Sequence, residues 1–263
     1  MYDFAYHRPG SVAEAVKLLA GDAEAKALAG GQTFIPVLKQ RLNRPSQLID
    51  LSGLDLAGIR RDGNTVVIGA MSTHHMIETA PEVNQGIPGL AKMASWIGDT
   101  QVRHRGTMGG SLANNDPSAC YPAAVLALGA TIRTDRRSIP ADEFFLGMFT
   151  TALEPGELIT AVEVPIPERS NYEKFRNPAS RYAMVGVFVA KGPAGVRVAV
   201  TGAGQGGVFR VQEMEQALER DFAPDTIKAV SISPDGLIGD IHGSAEYRAH
   251  LIGVMARRAV AGA

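Results

Sequence analysis

Val12, Ala15, Val16 and Leu19 lie on one stripe of a 3.6-residue period, behind Ser11 with Glu14 three positions on, a pattern that predicts a capped helix. Ala25–Ala29 then reads as a short strand entering the Gly30-Gly31 turn, and Thr33 as the cap of a helix carrying Ile35, Val37, Leu38 and Leu42. Strands are predicted at Gln47–Leu51 and, around the Asp62-Gly63-Asn64 turn, at Gly58–Arg61 and Thr65–Gly69. Helical spacing returns at Pro88–Trp96, and a polar stretch follows it into Gly109-Gly110. Tyr121–Leu128 reads as a compact apolar helix and Glu157–Val164 as a strand.

Pro165, Pro167 and the polar run Glu168-Arg169-Ser170-Asn171 mark a boundary, so domains are expected over 1–168 and 169–263. Past it, Tyr172–Arg176, Ala183–Lys191 and Val196–Thr201 read as a strand meander. Val211–Leu218 and Ala245–Arg258 read as helices covering one of its faces. The class is α+β. A Rossmann reading is disfavoured, because neither glycine pair has GxGxxG spacing with an acid about twenty residues on.

Composition narrows the class of function. Apolar residues make up 45% and charged residues 20% of 263, enough for a sizeable core. A net charge of −1 gives no footprint for nucleic acid. No apolar run approaches the roughly 20 residues of a membrane span, and Met1-Tyr2-Asp3-Phe4 does not read as a signal peptide. A cytoplasmic location is expected. The single cysteine, Cys120, leaves no thiolate set for an iron–sulfur cluster. No metal site is expected either: His74 and His75 are adjacent, diverge on a helix and read as its solvated start after Ser72-Thr73.

The candidate chemistry lies in the glycine pairs. Leu28-Ala29-Gly30-Gly31-Gln32-Thr33-Phe34-Ile35-Pro36 and Arg105-Gly106-Thr107-Met108-Gly109-Gly110-Ser111 each lead from apolar or basic residues through glycines to a hydroxyl and a helix-like run. Adjacent glycines admit positive φ and close approach of a ligand, and successive free N–H groups form an anion cradle. With 29 glycines, chance alone supplies such pairs, a third being Gly206-Gly207, so ordinary tight turns remain the competing reading.

ALAGGQTFIP followed by VRHRGTMGGSLANNDPSACYP resembles the flavin-binding subunit of the molybdenum hydroxylases, a family that includes the medium subunit of aerobic carbon monoxide dehydrogenase and the flavin domain of xanthine dehydrogenase. The likeness continues through Leu51–Leu54, Val66–Met71, Pro155–Pro165 and Tyr172–Val187, and so runs nearly end to end. The resemblance implies a two-lobed FAD-binding domain of the PCMH (vanillyl-alcohol oxidase-like) type, followed by a small α+β domain. It implies non-covalent FAD, with molybdenum cofactor and [2Fe-2S] clusters confined to a large and a small partner subunit, in a dimer of heterotrimers. Electrons would pass from the iron–sulfur subunit to quinone, NAD or oxygen.

By position, the resemblance places the cofactor at Ala29, Gly30, Gly31, Gln32, Thr33 and Ile35 and at Thr107, Gly109, Gly110 and Ser111, with the pyrophosphate on backbone N–H groups of Gly30–Thr33 and Thr107–Ser111. Ile159 would pack near the ring system, Tyr182 would approach the isoalloxazine and Lys174 its polar edge. Gln32 removes the histidine some relatives of the wider fold carry, and Ser111 replaces a common asparagine. Cys120 stands where many relatives have an aspartate that binds the ribose side of FAD, for which Asp116 is the candidate substitute. No acid–base or nucleophile–base pair announces substrate chemistry. Two other readings stay open: a self-contained flavin oxidase or dehydrogenase of a small organic substrate, and a flavin-free scaffold subunit.

Overall fold

The computed structural model describes residues 1–263 and consists of three larger sheets and one two-stranded hairpin, with helices packed between and outside them. The first sheet is small and parallel. β1 (Ala5–His7) and β2 (Lys26–Leu28) flank β3 (Gln47–Asp50), linked by α1 (Val12–Ala20) and α2 (Phe34–Lys39). The capping pattern forms as read at its first half: Ser11 Oγ accepts from the Glu14 N–H. The Glu14 carboxylate reaches one residue further back, to the Gly10 N–H. Ile49, Ala15, Leu51, Leu54 and Leu158 form the core under this sheet.

The second sheet is antiparallel, in the order β4 (Ile59–Asp62), β5 (Thr65–Gly69), β10 (Ile159–Pro165), β6 (Thr131–Thr134), β7 (Ser138–Pro140). Its helical layer comprises α3 (His74–Thr79), α4 (Pro81–Gly86), α5 (Pro88–Ser95), α6 (Thr100–Arg105), α7 (Met108–Asn114) and α8 (Tyr121–Ala127). Then come β6 (Thr131–Thr134), β7 (Ser138–Pro140), α9 (Ala141–Phe144), the hairpin β8 (Phe145–Gly147) and β9 (Thr150–Thr151), and β10 (Ile159–Pro165). Val162 lies opposite both Ile68 and Ile132, so the three central strands present one apolar face to the helices.

The third sheet is a meander of β11 (Arg169–Arg176), β12 (Ala183–Gly192), β13 (Gly195–Thr201) and β14 (Phe209–Arg210), with α10 (Gln212–Arg220) and α11 (Ala245–Ala261) on its outer face. β12 reads as an uninterrupted apolar run because both faces are covered. Val185, Val187 and Val189 join the core under α10 and α11, whereas Phe188 and Ala190 join the core that includes α8. No helix is long and apolar enough to cross a membrane.

Several sequence expectations need correction. The polar stretch after Trp96 is helical, because the Asp99 carboxylate caps α6 by accepting from the Val102 N–H at 2.8 Å. The polar run Arg169-Ser170-Asn171 opens β11 instead of linking, and its side chains clamp two helices. Ser170 Oγ accepts from the Gly89 N–H of α5, and Asn171 Nδ2 donates to the Ala259 carbonyl of α11. The helix after Thr33 stops at Lys39, and Leu42 is left largely exposed. Gly109-Gly110 lies inside α7, not in a loop.

Candidate functional site

A cavity of about 850 Å³ opens between the first sheet's Leu28–Phe34 turn, the α6–α7 junction and the edge of β11. Its volume and largely apolar lining suit a ligand larger than most metabolites.

The first glycine pair forms one wall. Gly31 has φ +73°, and an added Cβ would press on the Ile35 side chain at 2.6 Å. Ile35 therefore buttresses the turn from behind and does not line the cavity, which corrects its assignment as a contact residue. The turn leaves five consecutive backbone N–H groups, Gly30 to Phe34, that donate to nothing in the chain. Thr33 holds the position before α2, yet its hydroxyl caps nothing and is equally free. Successive free N–H groups in a glycine turn that opens a helix amount to an anion cradle.

The second pair behaves differently. The Met108 and Gly109 N–H groups donate to the Ser72 and Ala70 carbonyls, Gly110 N–H to Thr107 Oγ1 and Ser111 N–H to the Thr107 carbonyl. The expected second run of free backbone donors at Met108–Ser111 is thus absent, consumed in pinning α7 to the end of β5. A Cβ at Gly109 would lie 2.7 Å from Ala70 Cβ, so this glycine serves chain packing. What α7 offers the cavity is side-chain hydroxyls: that of Ser111 makes no hydrogen bond, and that of Thr107 accepts one but leaves its own proton free. The two glycine segments do face each other, since a Cβ at Gly110 would sit 3.5 Å from Ala29 Cβ.

The remaining walls come from the other sheets. Ile159 opens β10 and is buried, and Tyr182 is 56% exposed at the rim before β12. Asp116 lines the cavity and accepts from the Ser118 N–H. Lys174, on β11, donates from Nζ to the Trp96 carbonyl at 2.8 Å and lies 3.6 Å from Cys120 Sγ. Glu157 borders the cavity but is committed elsewhere. The Arg137 guanidinium, aided by the Glu154 N–H and Thr134, holds its carboxyl at about 2.

Of the sequence-assigned residues, Ala29, Gly30, Gly31, Gln32, Thr33, Thr107, Gly109, Gly110, Ser111, Asp116, Ile159, Lys174 and Tyr182 border this one cavity. Sequence reading missed Lys26, Phe34, Gly98, Asp99 and His74. His74 is no solvated helix start. It is 5% exposed, its ring centroid lies 5.2 Å from that of Tyr121, and its backbone N–H donates to the Gly106 carbonyl. Burial pushes its pKa down to about 4. The adjacent His75 faces outward and stacks on His104 at 4.0 Å.

The wall chemistry fits a flavin dinucleotide: a cradle of free N–H groups and hydroxyls for a pyrophosphate, and an apolar, aromatic-edged chamber for a ring. Comparison with known proteins agrees with that fit. Residues 2–167 match the family model for the FAD binding domain in molybdopterin dehydrogenase. The chain is 35% identical to the carbon monoxide dehydrogenase medium chain of Hydrogenophaga pseudoflava, over 98% of this chain and 96% of the relative. It is 36% identical to the nicotine 6-hydroxylase medium subunit of Paenarthrobacter nicotinovorans, over 97% and 95%. Among solved structures it superposes at TM-score 0.89 on carbon monoxide dehydrogenase from Hydrogenophaga pseudoflava lacking the Mo-pyranopterin moiety. That match has 36% identity and covers 100% of this chain and 97% of the other.

Proposed function

Because this chain belongs to the family of FAD-binding domains of molybdopterin dehydrogenases, we propose that it is the electron-transfer flavoprotein subunit of a heteromeric molybdenum hydroxylase. The observation that carries the reading is the run of five unpaired N–H groups at Gly30–Phe34 facing Ser111 and Thr107 across one cavity. When bound, FAD supplies the ability to accept electrons singly from an iron–sulfur partner and release them in pairs to quinone, NAD or oxygen.

This chain's residues bind and orient. Backbone N–H groups of Gly30, Gly31, Gln32 and Thr33 hold the pyrophosphate, with hydroxyls of Thr33, Thr107 and Ser111 completing the donor set. Gly109 and Gly110 let α7 approach, Ala29 and Ile159 supply apolar wall, Asp116 serves the ribose side, and Lys174 and Tyr182 border the ring end. Residues 1–168 carry the cofactor and 169–263 complete its chamber. We assign molybdenum to a large partner and the [2Fe-2S] clusters to a small one, in a cytoplasmic dimer of heterotrimers.

Purification of the native complex tests the reading. Acid should release one FAD per chain, and molybdenum and iron should co-purify in the partner subunits. A flavin-free complex would favour a scaffold role. Turnover of a small organic donor by the isolated chain would favour a self-contained enzyme.

A further inference from the structure

Lys174 is a buried cation of the cavity wall that lacks a counter-charge. It is 8% exposed, and the Trp96 carbonyl is the only oxygen that accepts from its Nζ. An ammonium has three donors, and a buried cation normally finds a counter-charge. No carboxylate pairs with Lys174: Asp116, which lines the same cavity, accepts from the Ser118 N–H instead. The neighbouring Glu173 is taken by Lys92 at 2.6 Å, and Lys174 itself forms no ion pair. The group beside Nζ is the Cys120 sulfur, at 3.6 Å and itself buried, with the hydroxyl of fully buried Tyr172 lacking any nitrogen or oxygen partner. Cys120 thus occupies the position from which a carboxylate would cancel the lysine's charge, and supplies a thiol instead.

We infer that the Lys174–Cys120 pair sets the local charge of the wall beside the flavin ring, leaving the lysine's positive charge uncancelled there and favouring the more negatively charged state of the bound cofactor. The inference rests on the function proposed above, with the ring at the Lys174–Tyr182 end of the cavity. Uptake of two electrons and one proton adds one negative charge to the ring, so an uncompensated cation in the wall makes reduction more favourable. One side chain, residue 120, then tunes the reduction potential without touching the phosphate cradle.

The test uses the full chain loaded with FAD and reduced stepwise by dithionite against a reference dye, with sulfite affinity as a second readout of positive charge near the ring. Cys120→Asp should shift the reduction equilibrium at least tenfold toward oxidised flavin, about 30 mV for a two-electron couple, and weaken sulfite binding at least tenfold. Lys174→Gln should move both the same way, Lys174→Arg should stay near the parent, and Cys120→Ser should match it. If Cys120→Asp fails to hold flavin, Lys174→Gln decides. Unchanged potentials in flavin-loaded Lys174→Gln would overturn the inference while leaving the cofactor reading intact. A Cys120→Ser chain whose potential rises as much as the aspartate variant's falls would also overturn it, since the sulfur would then carry the compensating charge. A parent chain that holds no FAD would end both.

Discussion

The α-carbon of Gly30 packs against the carbonyl oxygen of Arg105 so closely that no side chain fits between them. This contact holds the Leu28–Phe34 turn against the α6–α7 junction, and so joins the free N–H groups on one segment to the hydroxyls on the other. Gly30→Ala should separate the two walls. We expect a lowered thermal midpoint even without flavin and at least a tenfold loss in FAD affinity. Unchanged flavin content would show that this contact does not shape the site.

Thr33 and Thr107 separate binding from folding. Thr33 makes no cap bond, so Thr33→Ala should leave the flavin-free midpoint unchanged and weaken FAD several-fold, the worth of roughly 1 kcal/mol for one hydrogen bond. Thr107 accepts from the Gly110 N–H at 3.1 Å, so Thr107→Ala should also lower stability by about 1 kcal/mol. Denaturant titrations of both flavin-free variants distinguish the cases; equal stability losses would contradict the assignment.

The flavin should be non-covalently held. Gln32 offers no attachment chemistry, and the Cys120 thiol is buried. Acid precipitation is expected to give a colourless pellet and a yellow supernatant. Flavin fluorescence that stays with the denatured chain would refute this and point to Cys120.

His74 makes the site acid-sensitive. Its folded pKa, about 4, lies below the ordinary 6.5, so the folded state resists a proton the unfolded chain takes up. The stability this contributes is complete above pH 6.5 and is lost as pH falls from there toward 4. Because His74 N–H donates to the Gly106 carbonyl and its ring packs on Tyr121, flavin release should track that loss. His74→Phe should flatten the thermal midpoint between pH 6.5 and about 4.5. A variant with the parent's pH profile in that window would contradict the assignment.

Much of this was legible in the sequence, for identifiable reasons. The β4–β5 hairpin follows from Asp62-Gly63-Asn64, and α5 and α8 from apolar periodicity behind a proline in the first turn. The first glycine turn was legible because positive φ at Gly31 leaves its mark on residue choice. The second was misread as a loop. Glycine disfavours helix, and only the approach of α7 to Ala70, a tertiary fact, explains why Gly109 sits in one. Burial of Ser170, Asn171 and His74 likewise depends on partners far away in sequence, Gly89, Ala259 and Tyr121, which no local pattern records.

The central claim is that this chain receives electrons from an iron–sulfur partner. It is tested most directly by reducing the isolated iron–sulfur subunit chemically, removing excess reductant, and mixing it without oxygen with the FAD-loaded chain. The account predicts that the oxidised flavin band bleaches, with two electrons consumed per flavin, and that adding the terminal acceptor restores it. A flavin band that persists beside a fully reduced, complex-forming partner would contradict the account.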